Sequence, residues 1–341
     1  MSNNPIIGVA PLAFPWQTKD PFLVCVHHVD NYPRGNDRLG PAASLAGRDI
    51  GQDFAGKDGW RMYHGQQVPG FPLHPHRGFE TVPFVREGFI DHSDSLGATA
   101  RFGRGDVQWL TAGAGIVHSE MFPLVDPEKP NRLELFQIWL NLPAKSKFAP
   151  PYFTMFWDPD MPRYRETDAN GRRVEVTLVA GALGGLAPPA PPPDSWAARA
   201  DADVAIWSIR LEPDAAWTIP PARDAGIART LYFFSGRKLD VAGRVVAQPC
   251  AIEVVGDRPV RVAAFDGPAE ILVLQGRPIA EPVAQYGPFV MNSRAELEQA
   301  FADYRRTQFG GWPFKENEPV HPRQRGRFAR HADGRVEEAP A

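Results

Sequence analysis

An all-β fold, a sandwich or barrel, follows from three features of the 341-residue sequence. Short runs of β-branched and aromatic residues recur along it, and turn-forming dipeptides separate them. Gly and Pro, 31 and 36 in number, are abundant, yet hydrophobic residues make up 43% and aromatics 11%, too much apolar material for a disordered chain. Alternating βαβ units have no support.

In chain order the runs are Phe22 to Val26, Thr81 to Val85, Val107 to Leu110, Leu135 to Leu142, Val174 to Val179, Val204 to Leu211, Leu231 to Phe234, Ala251 to Val255 and Ile271 to Leu274. Glu87-Gly88, Gly105-Asp106, Ser235-Gly236, Ala242-Gly243 and Gly256-Asp257 stand between them as turn signals. Pro83 interrupts the second run, which predicts a bulge or an edge position there. Gly181 to Ala200 carries Gly184-Gly185, Pro188-Pro189 and Pro191-Pro192-Pro193, a stiff extended connection rather than a central strand. The expected organisation is therefore a domain over residues 1–180, a linker over 181–200, a second domain over 201–314 and a polar tail over 315–341. One helix is expected at 293–309: Ser293-Arg294-Ala295-Glu296 has capping-box spacing, Leu297, Ala300, Phe301 and Tyr304 form an apolar stripe, and Gly310-Gly311 ends it. The tail, with His321, Arg323, Arg325, Arg327, Arg330 and His331 among acidic residues, has little to bury and reads as mobile or loosely docked.

A formal net charge of −3 forces no polycationic surface, so nucleic acid is not an expected partner. Cys25 and Cys250 lie far apart and in no CxxC pattern, which argues against a disulfide framework or a thiolate metal site and fits a reducing cytoplasm. Met1 to Pro5 lacks a basic region and Pro11 breaks the apolar stretch from Ile6 to Phe14, so no secretory signal is expected. No run of apolar residues is long enough for a membrane-spanning helix.

The nine histidines are His27, His28, His64, His74, His76, His92, His118, His321 and His331, and residues 119–320 contain none. Any imidazole-based metal site therefore belongs to the first half. His74-Pro75-His76 and His118-Ser119-Glu120 each place two ligand-type side chains two residues apart. On extended backbone each pair projects to one face, and Pro75 favours extension at His74. Two such strands brought together in a small barrel would converge three imidazoles and a carboxylate, with open positions left on a six-coordinate ion. Either pair alone reads equally well as hydrogen-bonded histidines at strand ends. Three nitrogens and one oxygen suit Fe(II), Mn, Ni, Co, Cu or Zn. Similarity to two-histidine-one-carboxylate oxygenase sites favours Fe(II), and spacing does not decide among them.

The segment Phe71-Pro72-Leu73-His74-Pro75-His76-Arg77-Gly78-Phe79-Glu80-Thr81-Val82 resembles the signature of the pirin family, two-domain members of the cupin superfamily. A second block, Asp94-Ser95-Leu96-Gly97 followed by Gly105 to Met121, and a third, Glu281 to Asn292, resemble further pirin motifs. The resemblance spans about residues 20–311 and implies a bicupin of two jelly-roll β-barrels with a C-terminal helix. It implies one iron in the first barrel, held by His74, His76, His118 and Glu120, with Glu80 as support behind the ligands and a metal-free second barrel. It also implies either of two functions. Some pirins are quercetinases, in which this carboxylate deprotonates a flavonol hydroxyl and O2 cleaves the ring with loss of carbon monoxide. Others are iron-dependent regulators that bind a transcription factor or a metabolic enzyme. The dioxygenase is the favoured expectation, with Glu120 as catalytic base, a small aromatic flavonol-like substrate, and a monomer or weak dimer. Phe71, Phe79, Trp109 and Ile116 are candidate cavity walls, though such residues are more often core; Arg77, Arg86, Arg101 and Arg104 are candidates for a regulatory patch, though scattered arginines are more often a solvated charged face. An unusually long stretch before His74, including Gly59 to Gly65, makes Tyr63 and His64 candidates for the rim of the site.

Overall fold

In the computed structural model, which describes residues 4–340, each of the nine apolar runs falls on a β-strand to within one residue at its ends. Met1, Ser2, Asn3 and Ala341, the extremes of the N-terminal and tail readings, lie outside the described residues. The described residues divide into two compact units. Among the described residues no helix is long and apolar enough to cross a membrane.

The chain opens with β1 (Ile6–Pro11) and β2 (Phe22–Tyr32), followed by β3 (Gly70–His76), β4 (Phe79–Glu87), β5 (Phe89–Asp94), β6 (Thr99–Gly103), β7 (Val107–Thr111), β8 (Ile116–Met121), β9 (Asn131–Asn141) and β10 (Tyr152–Phe156). One sheet has the order β10-β7-β4-β9-β2, and a second contains β6-β5-β8-β3. They form the unit made of Val26–Asp158 and Glu281–Ala341. Its core includes Tyr32, Trp60, Met62, Tyr63, Phe102 and Leu110, so much of the long stretch before His74 supplies core.

The other unit comprises the N-terminal stretch to Cys25 and Pro159–Ala280. Its strands are β11 (Arg163–Thr167), β12 (Arg173–Ala180), β13 (Ala205–Leu211), β14 (Ala216–Ile219), β15 (Ala228–Ser235), β16 (Leu239–Val241), β17 (Arg244–Val246), β18 (Cys250–Val255), β19 (Val260–Ala264) and β20 (Ala269–Gly276). They form a sheet β1-β18-β15-β20-β13-β12-β11 and a sheet β14-β19-β16-β17. Alternate residues such as Val174, Val176 and Leu178 on β12, or Ile271 and Val273 on β20, turn into one core.

These boundaries differ from the 1–180, 181–200 and 201–314 division expected from composition. Backbone ladders set them: β1 pairs with β18 and β12 with β13, so the chain's beginning and residues 159–180 join the unit that contains the second barrel. The Pro-rich segment lies inside that unit, where Leu183 and Leu186 exchange backbone hydrogen bonds and the Trp196 indole N–H donates to the Arg277 carbonyl. Pro83 also departs from expectation, because β4 is an internal strand between β7 and β9. The ladder to β9 is continuous through Pro83–Gln137, while the pairing with β7 lapses between Thr81 and Phe84, beside a residue with no N–H to give.

After β20 come β21 (Ala284–Tyr286), β22 (Phe289–Met291), α1 (Arg294–Thr307), β23 (Phe328–Arg330) and β24 (Val336–Glu338). The Ser293 side chain accepts from the Glu296 amide, and Glu296 Oε2 accepts from the Asn292 amide. Leu297, Ala300 and Phe301 then pack α1 onto Phe289 and Met291. The expected loose tail is docked: β23 extends the second sheet beside β6, and Phe328 and Ala329 are buried. Arg101 helps fasten the tail: this side chain is buried, ion-paired to Asp91 at 2.7 Å, and donates to the carbonyls of His321, Pro322 and Arg325 at 2.9 Å each.

Candidate metal centre

Strands β3 and β8 are antiparallel neighbours, and their register sets His74 directly opposite His118. The two-residue period of each strand puts His76 on the His74 face and Glu120 on the His118 face. The His74 Nδ1–H donates to the Pro72 carbonyl at 2.8 Å and the His76 Nδ1–H to the Pro288 carbonyl at 3.2 Å, which leaves each Nε2 with a lone pair. One ligand nitrogen from each of His74, His76 and His118 lies within 4.8 Å of the others. Glu120 Oε2 stands 3.7 Å from His118 Nε2.

Two observations test whether a metal fits these residues. Both ring nitrogens of fully buried His118 lack a hydrogen-bond partner, a costly arrangement unless something else meets a lone pair. The charge state also fits. Burial, with the backbone bond from Pro72 opposing it, lowers His74 to about 4. Burial and the neighbouring imidazoles hold His76 and His118 well below the ordinary histidine value. Neutral imidazoles are the ligand form, and three nitrogens with one carboxylate suit a divalent first-row metal.

Burial raises the proton affinity of Glu120, while the charge of His92 and a hydrogen bond from Gln137 oppose it. Glu80 is fully buried on β4 and accepts from Thr111 Oγ1 at 2.6 Å, so it is no surface carboxylate. Among the candidate walls, Phe79 meets His76 edge-on with centroids 5.0 Å apart, and half-buried Phe71 approaches His74 at 6.3 Å. Trp109 and Ile116 are fully buried, Ile116 within the unit's core cluster and Trp109 against Phe156. Tyr63 is buried rather than at a rim and donates to Asp30 Oδ2 at 2.6 Å, while half-exposed His64 bonds the Gly51 carbonyl.

The sequence reading missed four residues. Gln137 and Trp139 sit two apart on β9: Gln137 reaches Glu120, and Trp139 meets His76 edge-on at 5.4 Å. A polar position in the middle of the apolar run Leu135 to Leu142, whose only other polar residue is Asn141 near its end, was the available signal for Gln137. His92, opposite Glu120 on β5, bonds Asp94 Oδ2 at 3.0 Å and lies 5.5 Å from His118 by ring centroids. Pro288 had no local signal, since its carbonyl reaches His76 from 212 positions away.

Residues 49–140 match the Pirin family model, and residues 206–310 match the model of the Pirin C-terminal cupin domain. This chain belongs to the pirin family. A Pseudomonas aeruginosa relative named "Putative quercetin 2,3-dioxygenase" is 39% identical over 70% of this chain and 79% of its own length. A pirin-like protein of Caulobacter vibrioides is 36% identical over 70% and 80% respectively. The crystal structure of a quercetin 2,3-dioxygenase from Acinetobacter baumannii superposes with a TM-score of 0.71, covering 91% of this pirin and 99% of that chain. At 23% identity this last likeness concerns the fold, an all-β bicupin.

Proposed function

We propose that this pirin is a mononuclear metal-dependent dioxygenase of the quercetinase type, acting on a flavonol-like aromatic substrate with Glu120 as base. The observation that carries the reading is the pair of unpartnered nitrogens on buried His118, set against the Nε2 atoms of His74 and His76. The name of the Pseudomonas relative supports the substrate class.

Fe(II) held by His74, His76, His118 and Glu120 would supply Lewis acidity and a site for O2 chemistry, and Mn, Ni, Co, Cu and Zn suit the same donors. The chain's own contribution is position and proton transfer. Burial raises the proton affinity of Glu120, as a base working near neutral pH requires. A phenolic hydroxyl brought to this carboxylate gives its proton to a Glu120 oxygen. Gln137 donates to both Glu120 oxygens and so fixes the carboxylate plane. Trp139, Phe79 and Phe71 offer aromatic edges beside the imidazoles, suited to a planar apolar ring.

Anaerobic loading with Fe(II), followed by O2 uptake measured with a panel of flavonols, tests the reading. O2 consumption with loss of the flavonol chromophore is expected. An iron-loaded protein that consumes no O2 with any flavonol would overturn the dioxygenase and leave an iron-dependent regulator of a transcription factor or metabolic enzyme.

A further inference from the structure

The docked tail builds a feature unrelated to the metal centre. With the end of β6 and the turn after it, the segment 323–327 encloses a groove of about 340 Å³. Nine residues line it; five are Arg101, Arg104, Arg323, Arg325 and Arg327, and none is acidic. We propose that this groove is a binding site for a small phosphate-bearing anion.

Three of the guanidinium groups are neutralised and held by carboxylates outside the lining. Arg101 is bidentate to buried Asp91, Arg325 meets Glu338 at 2.6 and 2.8 Å, and Arg327 meets Asp106 at 2.7 Å. The other two are not. Arg104 lies over the Phe89 ring at 4.8 Å and enters no ion pair among the described residues. Arg323 donates only to neutral carbonyls, those of Val125 at 2.7 Å, Leu124 at 3.3 Å and Asn36. Half-exposed Asp126, whose carboxyl senses the Arg323 charge, makes no ion pair with it among the described residues and accepts with Oδ1 from the amides of Glu128 and Lys129.

Two guanidinium groups with no carboxylate in ion-pair contact among the described residues therefore share one small groove with three pre-ordered ones. A phosphate monoester dianion balances both charges, which a monocarboxylate cannot, and its three terminal oxygens can engage more than one guanidinium fork. A duplex polyanion is disfavoured by the limited extent of the groove and the chain's net charge of −3. The groove requires the tail, which Arg101 fastens through three carbonyls. The tail segment that supplies the lining residues 323–327 lies beyond residue 310, where the match to the C-terminal cupin domain ends.

The test is calorimetric titration of the full chain with phenyl phosphate, using benzoate as the monoanionic comparison. Phenyl phosphate should bind, more weakly as salt rises, and benzoate should bind about tenfold less tightly or worse. Arg104→Asn, which suits the positive φ of 55° at that position, should weaken phenyl phosphate about tenfold with metal content unchanged. Arg323→Gln should do the same, and if that variant misfolds, Arg104→Asn decides alone. Absence of binding by the wild type, undiminished binding by Arg104→Asn, or preference for duplex DNA or a polyglutamate peptide would each overturn the proposal.

Discussion

Gln137 donates its amide nitrogen to both carboxylate oxygens of Glu120, at 3.1 Å each. Gln137 is on β9 and Glu120 on β8, strands of different sheets, so the bond crosses the inside of the barrel. It orients the one acidic ligand candidate from the opposite wall. Gln137→Leu keeps most of the volume and removes the donor. With iron resupplied to saturation, flavonol turnover should fall about 10- to 100-fold, the usual effect of losing a group that orients a ligand. Unchanged turnover would show that the carboxylate is oriented by other means.

Metal stoichiometry follows from where the histidines are. Residues 119–320 contain none, and the single three-histidine cluster among the described residues is His74, His76 and His118. Elemental analysis should find one transition metal per chain. His118→Ala should lose it while far-UV circular dichroism stays near that of the wild type, because jelly-roll packing is carried elsewhere. Full metal retention by that variant would show the site misassigned.

That His74 shares a face with His76, and His118 with Glu120, was legible because strand geometry is local: residues two apart share a face whatever the partner strand. The register that sets His74 opposite His118, and the contacts from Gln137, Trp139, His92 and Pro288, depend on pairing between distant segments, which no spacing reveals. The tail misled for a related reason. Its charged composition reads as solvated, yet Arg325 and Arg327 find carboxylates at Glu338 and Asp106, and Phe328 and Ala329 supply enough burial to dock it. The unit boundaries misled because prolines mark stiff chain, whereas ladders such as β1 with β18 decide which unit a segment joins.

That docking is itself testable at Arg101. Arg101→Met leaves Asp91 as an unpaired buried carboxylate and removes three carbonyl contacts, so it should cost about 3–5 kcal/mol. Limited proteolysis should cut within 315–341 faster than in the wild type. Adding Asp91→Leu should recover much of the loss, since the double variant removes the buried charge altogether. If both variants melt alike, the stranded carboxylate is not the source of the cost.

Glu134 provides a pH dependence away from the metal. Burial alone would raise its pKa, but a hydrogen bond from His27, the charge of Arg86 and a hydrogen bond from Arg132 bring it down to about 2. The folded value lies below the ordinary glutamate value of 4.5, so the stabilisation is complete above that pH and is lost as pH falls toward 2. Glu134→Gln should melt several degrees below the wild type at pH 7, from roughly 1.5–3 kcal/mol of charged hydrogen bonding. The gap should narrow between pH 4.5 and 2. A gap constant across that range would assign the effect to packing.

Glu120 is asked to do two things, hold the metal and accept a proton, and one substitution separates them. Glu120→Gln keeps the shape and an oxygen donor but removes the charge and most of the basicity. Metal affinity should fall while His74, His76 and His118 still hold some iron. Saturating iron restores occupancy but not the base, so a large defect should persist after resupply. Losing a general base typically costs roughly 10² to 10⁴ in rate, and turnover of a flavonol by iron-loaded Glu120→Gln should fall within that range. Recovery of full activity on iron resupply would leave Glu120 a ligand only and move the proton to another acceptor. His92 is a candidate, because it faces Glu120 across the β5–β8 ladder and its Nδ1 has no hydrogen-bond partner.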